Sequence, residues 1–459
     1  MASTFTALPL ESGESFLLRT EALGRKFVIL VDSGKKYAGK KHPLHKVLKK
    51  HAPNVQTIDV AICTHQDADH SNGFRNFADE WYAAGGMIGE YWLPGRWANV
   101  AKPIALGDES FQRSILEGAN EAVRALANVE VNNSDLKRAE IYLQKIPEDD
   151  FREQAKSYNL SKELRPCGES AEKLNLWEHG RDESIREKSL AASLGLSTDD
   201  LTSRRAEMEE SDPLDKSIEF AMMSLNSRFF YHLKDRPYET KVLNEYNLAI
   251  DTAASIRRIL ESALKHTIPI RWFDFGAFEL GAEPSGGING VLEPLNAVEV
   301  DPPIEIVSNV AKFYSLRLSR QNVESLVFYR PETDEAPGVL FLGDSRLAFG
   351  ISKPKGDFSM PVTRPKRPLI ITSPHHGSRV NDHAYSVIEK WVGKAPYYIR
   401  NGGQTGQKLK DYPNKPSRKC AQCVQCFGKN WQQLVTLDAK GYDWDWKNIS
   451  GKDCGTPKQ

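Results

Sequence analysis

A compact set of metal-binding side chains follows an apolar run near the start of the chain. The run at residues 58–63 predicts a buried strand, and it continues into Thr64-His65-Gln66-Asp67-Ala68-Asp69-His70. A strand that ends in a sharp turn brings imidazoles and carboxylates together, and these groups bind divalent cations in proteins. Residues 71–74 predict the start of a helix, whose N-terminus adds positive dipole. Two histidines that bracket two aspartates favour a metal site over the alternative, a polar loop in which Asp69 or Ser71 caps that helix.

Two later strand ends carry side chains of the same kinds. The segments 322–330 and 338–344 predict a hairpin, with Asp344 at the tip of its second strand. The apolar run 368–372 predicts a further buried strand, which ends in Ser373-Pro374-His375-His376-Gly377-Ser378. A carboxylate and two histidines therefore stand at strand ends far along the chain from the first motif.

These pieces together carry a family resemblance. His65-x-Asp67-x-Asp69-His70 resembles the signature of the metallo-β-lactamase fold, whose commoner form is H-x-H-x-D-H. The form with Asp at the second-His position resembles the hydrolase domain of ComEC-type DNA-uptake proteins and their free-standing soluble relatives. Leu342-Gly343-Asp344 looks like the family's Gly-Asp carboxylate, and Pro374-His375-His376-Gly377-Ser378 is similar to its His-His-Gly-Ser box. The resemblance covers roughly residues 5–95 and 266–413.

The resemblance implies an α+β fold, an αββα sandwich of the metallo-β-lactamase type. Between residues 106 and 264 charged residues are frequent and apolar residues recur at three- and four-residue steps, which predicts a large helical insertion. We therefore expect four segments. They are residues 1–105, the first half of the sandwich; 106–264, the insertion; 265–413, the second half; and 414–459, a cysteine-containing C-terminal extension.

The resemblance also implies a centre for two metal ions. His65 and Asp67 hold the first metal, and Asp69 and His70 hold the second. Asp344 bridges the two ions. Asp69 and His70 are the candidate catalytic residues.

One imidazole of the His-His pair is implied to complete the second metal site. We favour His376 over His375, because a ligand directly followed by glycine leaves room for a substrate to approach. An earlier strand ends in Asp32-Ser33-Gly34, and the resemblance implies that Asp32 braces the site instead of binding metal.

The first metal lacks one expected ligand, and the set is rich in oxygen. The family has a further histidine between the motif and the Gly-Asp element, where this chain offers only His179, His232 and His266. None of the three follows a strand, although His266 precedes one. The carboxylates make the site hard and negative, so one or two Zn²⁺ ions are expected, with Mn²⁺ or Mg²⁺ as alternatives.

Evidence for a nucleic-acid partner is local. Lys and Arg number 61, as do Asp and Glu, so the formal net charge is zero and there is no global basic footprint. Basic residues flank the His-His pair, and they form a candidate cationic rim for a phosphodiester backbone. The candidate substrate-binding residues are Lys366, Arg367, Ser378 and Arg379. The alternative is a solvated loop.

Cysteine usage bears on location and on the tail. The chain has six cysteines, too few for a secreted disulfide scaffold, and it has no long apolar run. We expect a cytoplasmic protein that does not bind membranes. Three of the cysteines stand at two-residue gaps, and a fourth lies near the end, which suits a structural metal site with free thiols as the alternative. These are Cys420, Cys423, Cys426 and Cys454.

Three functional hypotheses follow. The first is a metal-dependent phosphodiesterase, a nuclease that acts on DNA, as the resemblance to ComEC-type domains implies; free-standing members of that group also suggest an effector in antiviral defence. The second is a hydrolase of a cyclic or small nucleotide or another ester. The third is a non-catalytic assembly subunit with a vestigial metal site, which binds a protein partner through the helical insertion.

Overall fold

The computed structural model describes most of the chain in separate segments. The described residues are 3–10, 13–35, 43–108, 110–130, 154, 160, 164–166, 182–210, 237–303, 307–317, 324–347, 360–402, 412, 415, 417–422 and 433–447. They form two β-sheets with helices around them.

The larger sheet has ten strands. They are β1 (Thr4–Ala7), β2 (Phe16–Ala22), β3 (Arg25–Val31), β4 (Thr57–Ile62), β5 (Met87–Pro94), β6 (Arg165–Pro166), β7 (Ile270–Asp274), β9 (Val298–Asp301), β15 (Val435–Lys440) and β16 (Asp443–Lys447). Their order across the sheet is β16-β15-β1-β2-β3-β4-β5-β7-β9-β6. The neighbours β3, β4, β5 and β7 are parallel, so their carboxyl ends lie along one edge.

The smaller sheet has six strands. They are β8 (Glu293–Pro294), β10 (Phe328–Arg330), β11 (Val339–Phe341), β12 (Ile370–Thr372), β13 (Tyr397–Arg400) and β14 (Arg418–Cys420). The predicted hairpin is confirmed, because β10 and β11 pair antiparallel. The strands β11 to β14 are parallel, and their carboxyl ends also share one edge.

Helices lie against both sheets. They are α1 (Leu44–His51), α2 (Ala68–Ser71), α3 (Phe74–Ala83), α4 (Ala98–Leu106), α5 (Phe111–Glu130), α6 (Glu183–Leu194), α7 (Thr198–Glu210), α8 (Pro237–His266), α9 (Phe275–Glu279), α10 (Asn309–Leu316) and α11 (Asp382–Trp391). Among the described residues, no helix combines the length and the apolar composition that crossing a bilayer requires.

Three buried clusters explain the layering. Side chains alternate between the two faces of a strand, so a strand that is covered on both sides is apolar throughout. Phe27 and Ile29 of β3 join the cluster between the two sheets, whereas Leu30 joins the cluster on the helical side. On the far side of the smaller sheet, Ile371 of β12 packs in a third cluster with Ile388 of α11. The predicted α+β class is confirmed, with helix, sheet, sheet and helix in successive layers.

The helix that follows the motif shows how the sequence sets its burial. Phe74, Phe77, Ala78 and Trp81 recur at three- and four-residue steps, and all four are fully buried on one face of α3. This spacing places them in one stripe. The stripe packs on the larger sheet and fixes the start of α3 beside the end of β4.

Helices from the predicted insertion share this same core. Ile115 of α5 and Ile256 of α8 belong to the cluster that contains Ile58 of β4 and Trp81 of α3. These helices therefore form part of the outer layer on the larger sheet. The proposed boundaries of the four segments stay a prediction.

The described part of the C-terminal extension belongs to the two sheets. β15 pairs with β1 and β16, and β14 pairs with β13. These strands bring residues from the end of the chain back to the N-terminal strand, so this part of the extension is continuous with the sandwich.

Candidate metal centre

The site lies where the carboxyl ends of parallel strands from both sheets meet. In the larger sheet, β3 leads into Asp32 and β4 leads into the motif of residues 64–70. In the smaller sheet, β11 leads into Asp344 and β12 leads into the turn Pro374–Gly377. The two sheets are linked here, because the backbone N–H of Leu326 donates to the carbonyl of Thr64 at 3.0 Å.

His65 points into the site with its ring held from behind. Its Nε2 lies 3.4 Å from Oδ2 of Asp344 and 3.8 Å from Oδ2 of Asp67. Its Nδ1 lies 3.0 Å from Oγ1 of Thr64 and 3.3 Å from Oγ of Ser325. The two hydroxyls therefore orient the ring so that Nε2 faces the carboxylates.

His70 has the same arrangement with a carboxylate behind it. Its Nε2 lies 3.3 Å from Oδ1 of Asp344, and its Nδ1 lies 2.8 Å from Oδ2 of Asp32. Asp32 also accepts a hydrogen bond from the backbone N–H of Thr64 at 2.8 Å. Asp32 thus contacts the imidazole of His70 and the backbone of Thr64 from the side away from Asp344. In this position it holds the ring in place, as the resemblance implies.

His376 faces Asp69 and has two oxygens behind it. Its Nε2 lies 3.1 Å from Oδ2 of Asp69. Its Nδ1 lies 2.8 Å from the carbonyl of Asn401 and 3.0 Å from Oε2 of Glu14. His376 and Glu14 are both almost completely buried.

A left-handed turn directs the two neighbouring histidines to different places. His375 and His376 have φ values of 46° and 50°. This backbone region costs a residue with a side chain about 1–3 kcal/mol and is concentrated at functional sites. His375 directs its Nε2 to within 3.7 Å of Oδ2 of Asp344, the oxygen that also faces His65. His376 lies instead beside Asp69 and His70, with its ring 5.1 Å from that of His70.

The two oxygens of Asp344 divide the centre into two sides. The His65 side consists of His65, Asp67, His375 and Oδ2 of Asp344. The His376 side consists of Asp69, His70, His376 and Oδ1 of Asp344. The structure thus places Asp344 between the two sides, the position of a bridging carboxylate.

The electrostatics of the pocket follow from burial among opposite charges. Burial alone would raise the pKa of Asp344, but the imidazoles of His70, His65 and His375 outweigh it and hold that pKa well below its usual range. Burial would lower the pKa of His376, yet the carboxylates of Asp69, Glu14 and Asp344 raise it to about 10. In the protein without metal, an ionised Asp344 therefore lies beside a protonated His70, and an ionised Asp69 lies beside a protonated His376.

The donor set fits divalent metal ions. Nε2 of His65 and Nε2 of His70 are buried and have no hydrogen-bond partner among the described residues. A buried polar atom without a partner costs about 1–3 kcal/mol. Both atoms face Asp344, and the other nitrogen of each ring is held from behind, which is how proteins present histidine to a metal. Two groups of three candidate ligand atoms lie within 4.8 Å of one another; they are His65, His70 and Asp344, and Glu14, His70 and His376.

The structure does not bring two of the predicted substrate-binding residues to the metal ligands. Lys366 and Arg367 precede β12, and their backbone N–H groups donate to the carboxylate of Glu332. The guanidinium of Arg367 lies over the ring of Tyr442, 4.3 Å from its centroid. The ligands follow β12 at its other end. Proximity in sequence was misleading here because the strand carries the chain from one edge of the sheet to the other.

The other two predicted substrate-binding residues lie beside the histidine pair. Oγ of Ser378 accepts a hydrogen bond from the backbone N–H of Val380 at 3.4 Å and so caps the short turn Arg379–Asn381. Arg379 is exposed directly after it. Of the two, Arg379 is the one that carries a charge, and it follows the histidine pair by three residues.

The histidines considered as a further ligand are not part of the described site. Nε2 of His266 lies 2.8 Å from Oδ1 of Asp79, and its ring stacks on Tyr82 with 4.2 Å between centroids. Both partners belong to α3, so His266 anchors the end of α8 on that helix. His179 and His232 lie outside the described residues.

The predicted cysteine site can be followed at one position. Cys420 is buried at the end of β14, and its Sγ lies 3.7 Å from the hydroxyl of Tyr412. Cys423, Cys426 and Cys454 lie outside the described residues. The structural metal therefore stays a prediction.

Sequence reasoning missed Glu14. In the structure Gly13 has a φ of 80°, and a Cβ on it would lie 2.2 Å from the carbonyl oxygen of Asp69. A signal was present in the sequence. Gly13 and Glu14 come just before the apolar residues that begin β2, and a charged side chain so close to a buried strand has few positions in which it can reach solvent.

Gly377 has a different role from the one expected. The sequence argument was that glycine after His376 leaves room for a substrate. In the structure Gly377 has a φ of 76°, and a Cβ on it would lie 3.2 Å from the ring of Tyr412 and 3.5 Å from Cδ of Arg400. Backbone conformation and packing against the protein interior therefore account for this glycine.

A cleft opens beside His65. It is lined at the carboxyl ends of β4, β5 and β7 by side chains that include Gln66, Pro94 and Phe275. Arg96 and Glu324 form a charged pair on its wall, with 2.9 Å between Nη1 and Oε1. The cleft therefore adjoins the His65 side of the centre.

Comparison with known families agrees with this geometry. Residues 9–115 match the family model of the metallo-beta-lactamase superfamily. The match covers the motif of residues 64–70, whereas Asp344 and the histidine pair lie beyond it. No curated protein matches the chain. Since most members of this superfamily are hydrolases that bind divalent metals, the match together with the candidate ligand groups indicates a metal-dependent hydrolase. The similarity to the metallo-beta-lactamase superfamily is thus shown for residues 9–115.

Proposed function

We propose that this protein is a metal-dependent phosphodiesterase that cleaves nucleic acid, with DNA as the favoured substrate. The observation that carries the proposal is the placement of Asp344 between two groups of ligands, with 3.4 Å from Oδ2 to His65 and 3.3 Å from Oδ1 to His70. A carboxylate that faces ligands on both sides suits a two-metal site. Such sites are common in phosphatases and nucleases.

Zn²⁺ is the proposed ion, with Mn²⁺ or Mg²⁺ as alternatives because the ligand set contains several carboxylates. When bound, the ions would lower the pKa of an attacking water and polarise a phosphoryl group. The His65 side would hold one ion through His65, Asp67, His375 and Asp344. The His376 side would hold the other through Asp69, His70, His376 and Asp344.

The protein's own residues orient the ligands and receive the substrate. Asp32 fixes the ring of His70, and the hydroxyls of Thr64 and Ser325 fix the ring of His65. Asp67 is the most open of the ligands, with 43% of its side chain exposed, so it marks the entrance. Arg379 is exposed in the turn that follows the histidine pair, and it would contact the phosphate backbone of the substrate.

The choice of DNA as substrate comes from the resemblance to ComEC-type domains. The proposed role in antiviral defence comes from that same resemblance. One observation favours a second candidate, the hydrolysis of a cyclic or small nucleotide. The cleft lies directly beside His65, and Arg96 on its wall is paired with Glu324, which leaves that arginine's charge balanced. A cleft of this kind favours a compact substrate, whereas a polymer backbone would need an open groove lined by unpaired basic residues.

A cleavage assay separates these possibilities. The full-length protein is incubated with Zn²⁺ or Mn²⁺ and with linear DNA, circular DNA or small cyclic nucleotides, in parallel with an Asp69→Ala, His70→Ala variant. We expect the wild type to cleave DNA and the variant to be inactive. Cleavage of small nucleotides only would select the second candidate. Intact substrates under every metal, or equal cleavage by the variant, would overturn the hydrolase proposal and favour a non-catalytic assembly subunit.

A further inference from the structure

Glu14 contacts the back of His376 in a fully buried position. Its side chain is 1% exposed and that of His376 is 3% exposed. Oε2 of Glu14 lies 3.0 Å from Nδ1 of His376, and the carbonyl of Asn401 lies 2.8 Å from the same nitrogen. Both oxygens are hydrogen-bond acceptors, so Nδ1 must carry the ring proton in order to donate to them. Nε2, which faces Asp69, is then the nitrogen with a free electron pair for a metal.

The backbone fixes Glu14 in this place. The N–H of Glu14 donates to the carbonyl of Asp69 at 2.9 Å, so the glutamate is tied directly to the motif. The side-chain amide of Asn401 donates to the carbonyls of Leu8 and Ser15 at 2.9 and 2.8 Å. The turn that carries Glu14 is therefore joined both to a metal-binding loop and to the strand end behind His376.

The three imidazoles that face Asp69 or Asp344 from buried positions differ in what lies behind them. Asp32 lies behind His70 at 2.8 Å, just as Glu14 lies behind His376. Behind Nδ1 of His65 lie the hydroxyls of Thr64 and Ser325, and among the described residues no carboxylate contacts that nitrogen. A carboxylate behind a metal-binding imidazole fixes its tautomer and raises its basicity, and losing such a partner typically weakens metal affinity about 10–100-fold.

We propose that Glu14 is a positioning residue for His376, and that the two carboxylate-backed imidazoles make the His376 side the tighter of two metal sites. One ion then fills the His376 side first, and the His65 side takes a second ion that exchanges more readily. This proposal rests on the metal centre of the proposed function and is independent of the substrate.

A metal titration tests it without measuring activity. The metal-free full-length protein is titrated with Zn²⁺ against a chromophoric chelator, beside Glu14→Gln and His376→Ala variants. We expect two phases in the wild type. In Glu14→Gln the tighter phase should weaken about 10–100-fold while the stoichiometry and the weaker phase are kept. An unchanged tighter phase overturns the proposal. Complete loss of that phase, as in His376→Ala, would make Glu14 a ligand itself and would also overturn it.

Two further variants separate a positioning role from a structural one. Glu14→Asp keeps the charge at a greater distance, so it should weaken the tighter phase less than Glu14→Gln does; an equal or larger loss contradicts a role based on charge. Ser325→Ala removes a hydroxyl that contacts Nδ1 of His65 and also accepts from the backbone N–H of Asp344, so it should weaken the weaker phase more than the tighter one. The visible spectrum of bound Co²⁺ reports coordination geometry, and at saturation it should be the same in Glu14→Gln and the wild type. Two binding phases without any cleavage of DNA would contradict the nuclease proposal and would still support the proposed role of Glu14.

Discussion

Asp32 and His70 form a buried contact behind the candidate metal centre, with 2.8 Å between Oδ2 of the aspartate and Nδ1 of the histidine. Both side chains are completely buried. Asp32 follows the end of β3, and His70 lies in α2 shortly after β4, so the contact joins the ends of two parallel neighbouring strands. It leaves Nε2 of His70 directed at Asp344.

The first prediction concerns this pair. Asp32→Asn removes the charge behind His70 and should weaken metal binding about 10–100-fold, as measured by chelator competition. The matched control is Asp59→Asn. Asp59 lies on β4 away from the site and pairs with Arg25 at 2.9 Å. The control should bind metal like the wild type, and equal losses in both variants would show that the effect is a general loss of folding.

The two histidines of the pair should have separable roles. His375→Ala removes a group from the His65 side, and His376→Ala removes one from the His376 side. We expect His375→Ala to lose the more weakly bound ion and to keep the other, and His376→Ala to lose the tighter ion. Elemental analysis after dialysis gives the stoichiometry of each variant. Identical metal contents in the two variants would contradict the division of the centre at Asp344.

Metal affinity should rise with pH. The pKa of His376 is raised to about 10 in the protein without metal, and that of His70 is also raised well above its usual value because Asp344 and Asp32 outweigh the effect of burial. A metal must displace these protons, so binding near neutral pH releases protons and becomes tighter up to about pH 10. Calorimetry in buffers of different ionisation enthalpy measures the protons released. An affinity that is constant with pH would contradict this assignment.

The stability of the metal-free protein should show the opposite trend. The folded-state pKa of His376 lies above the ordinary value of 6.5. Its protonated form therefore contributes stability that is fully present below about pH 6.5 and is lost as the pH rises through about 10. Urea unfolding at several pH values, with and without Zn²⁺, checks the sign: alkaline pH should destabilise only the metal-free protein.

Basic residues at the two ends of β12 should differ in their effect on cleavage. Arg379→Ala removes an exposed charge beside the histidine pair and should raise KM for DNA and reduce its dependence on salt. Arg367→Ala removes a charge at the other end of the strand, where the guanidinium lies over Tyr442. It should leave cleavage unchanged. Steady-state kinetics at two salt concentrations decide the matter, and an equal effect of both substitutions would contradict the placement.

The parts of the fold that were predictable from the sequence are those with a local pattern. The apolar run before His65 and the stripe of Phe74, Phe77 and Trp81 carry the periodicities of a buried strand and an amphipathic helix, and the structure has β4 and α3 there. The strand before His375 was predictable for the same reason, as β12 shows. Motif residues at strand ends converge because parallel strands end at a common edge.

The parts that could not be predicted depend on contacts between distant segments. Glu14 meets His376 only because the turn after β1 packs against the end of β13, and no local pattern encodes that contact. The direction of β12 separates Arg367 from the metal ligands although they are close in sequence. The sequence predicts that Gly377 leaves room for a substrate. The structure fills the space beside it with the ring of Tyr412, which comes from a later part of the chain and has no local signal near Gly377.

The central claim is a centre for two metals bridged by Asp344, and anomalous scattering from crystals grown with Zn²⁺ tests it most directly. We expect two peaks about 3.5–4 Å apart, one on each side of the Asp344 carboxylate. One should lie among His65, Asp67 and His375, and the other among Asp69, His70 and His376. The absence of any peak between these groups, or peaks bound elsewhere, would contradict the claim.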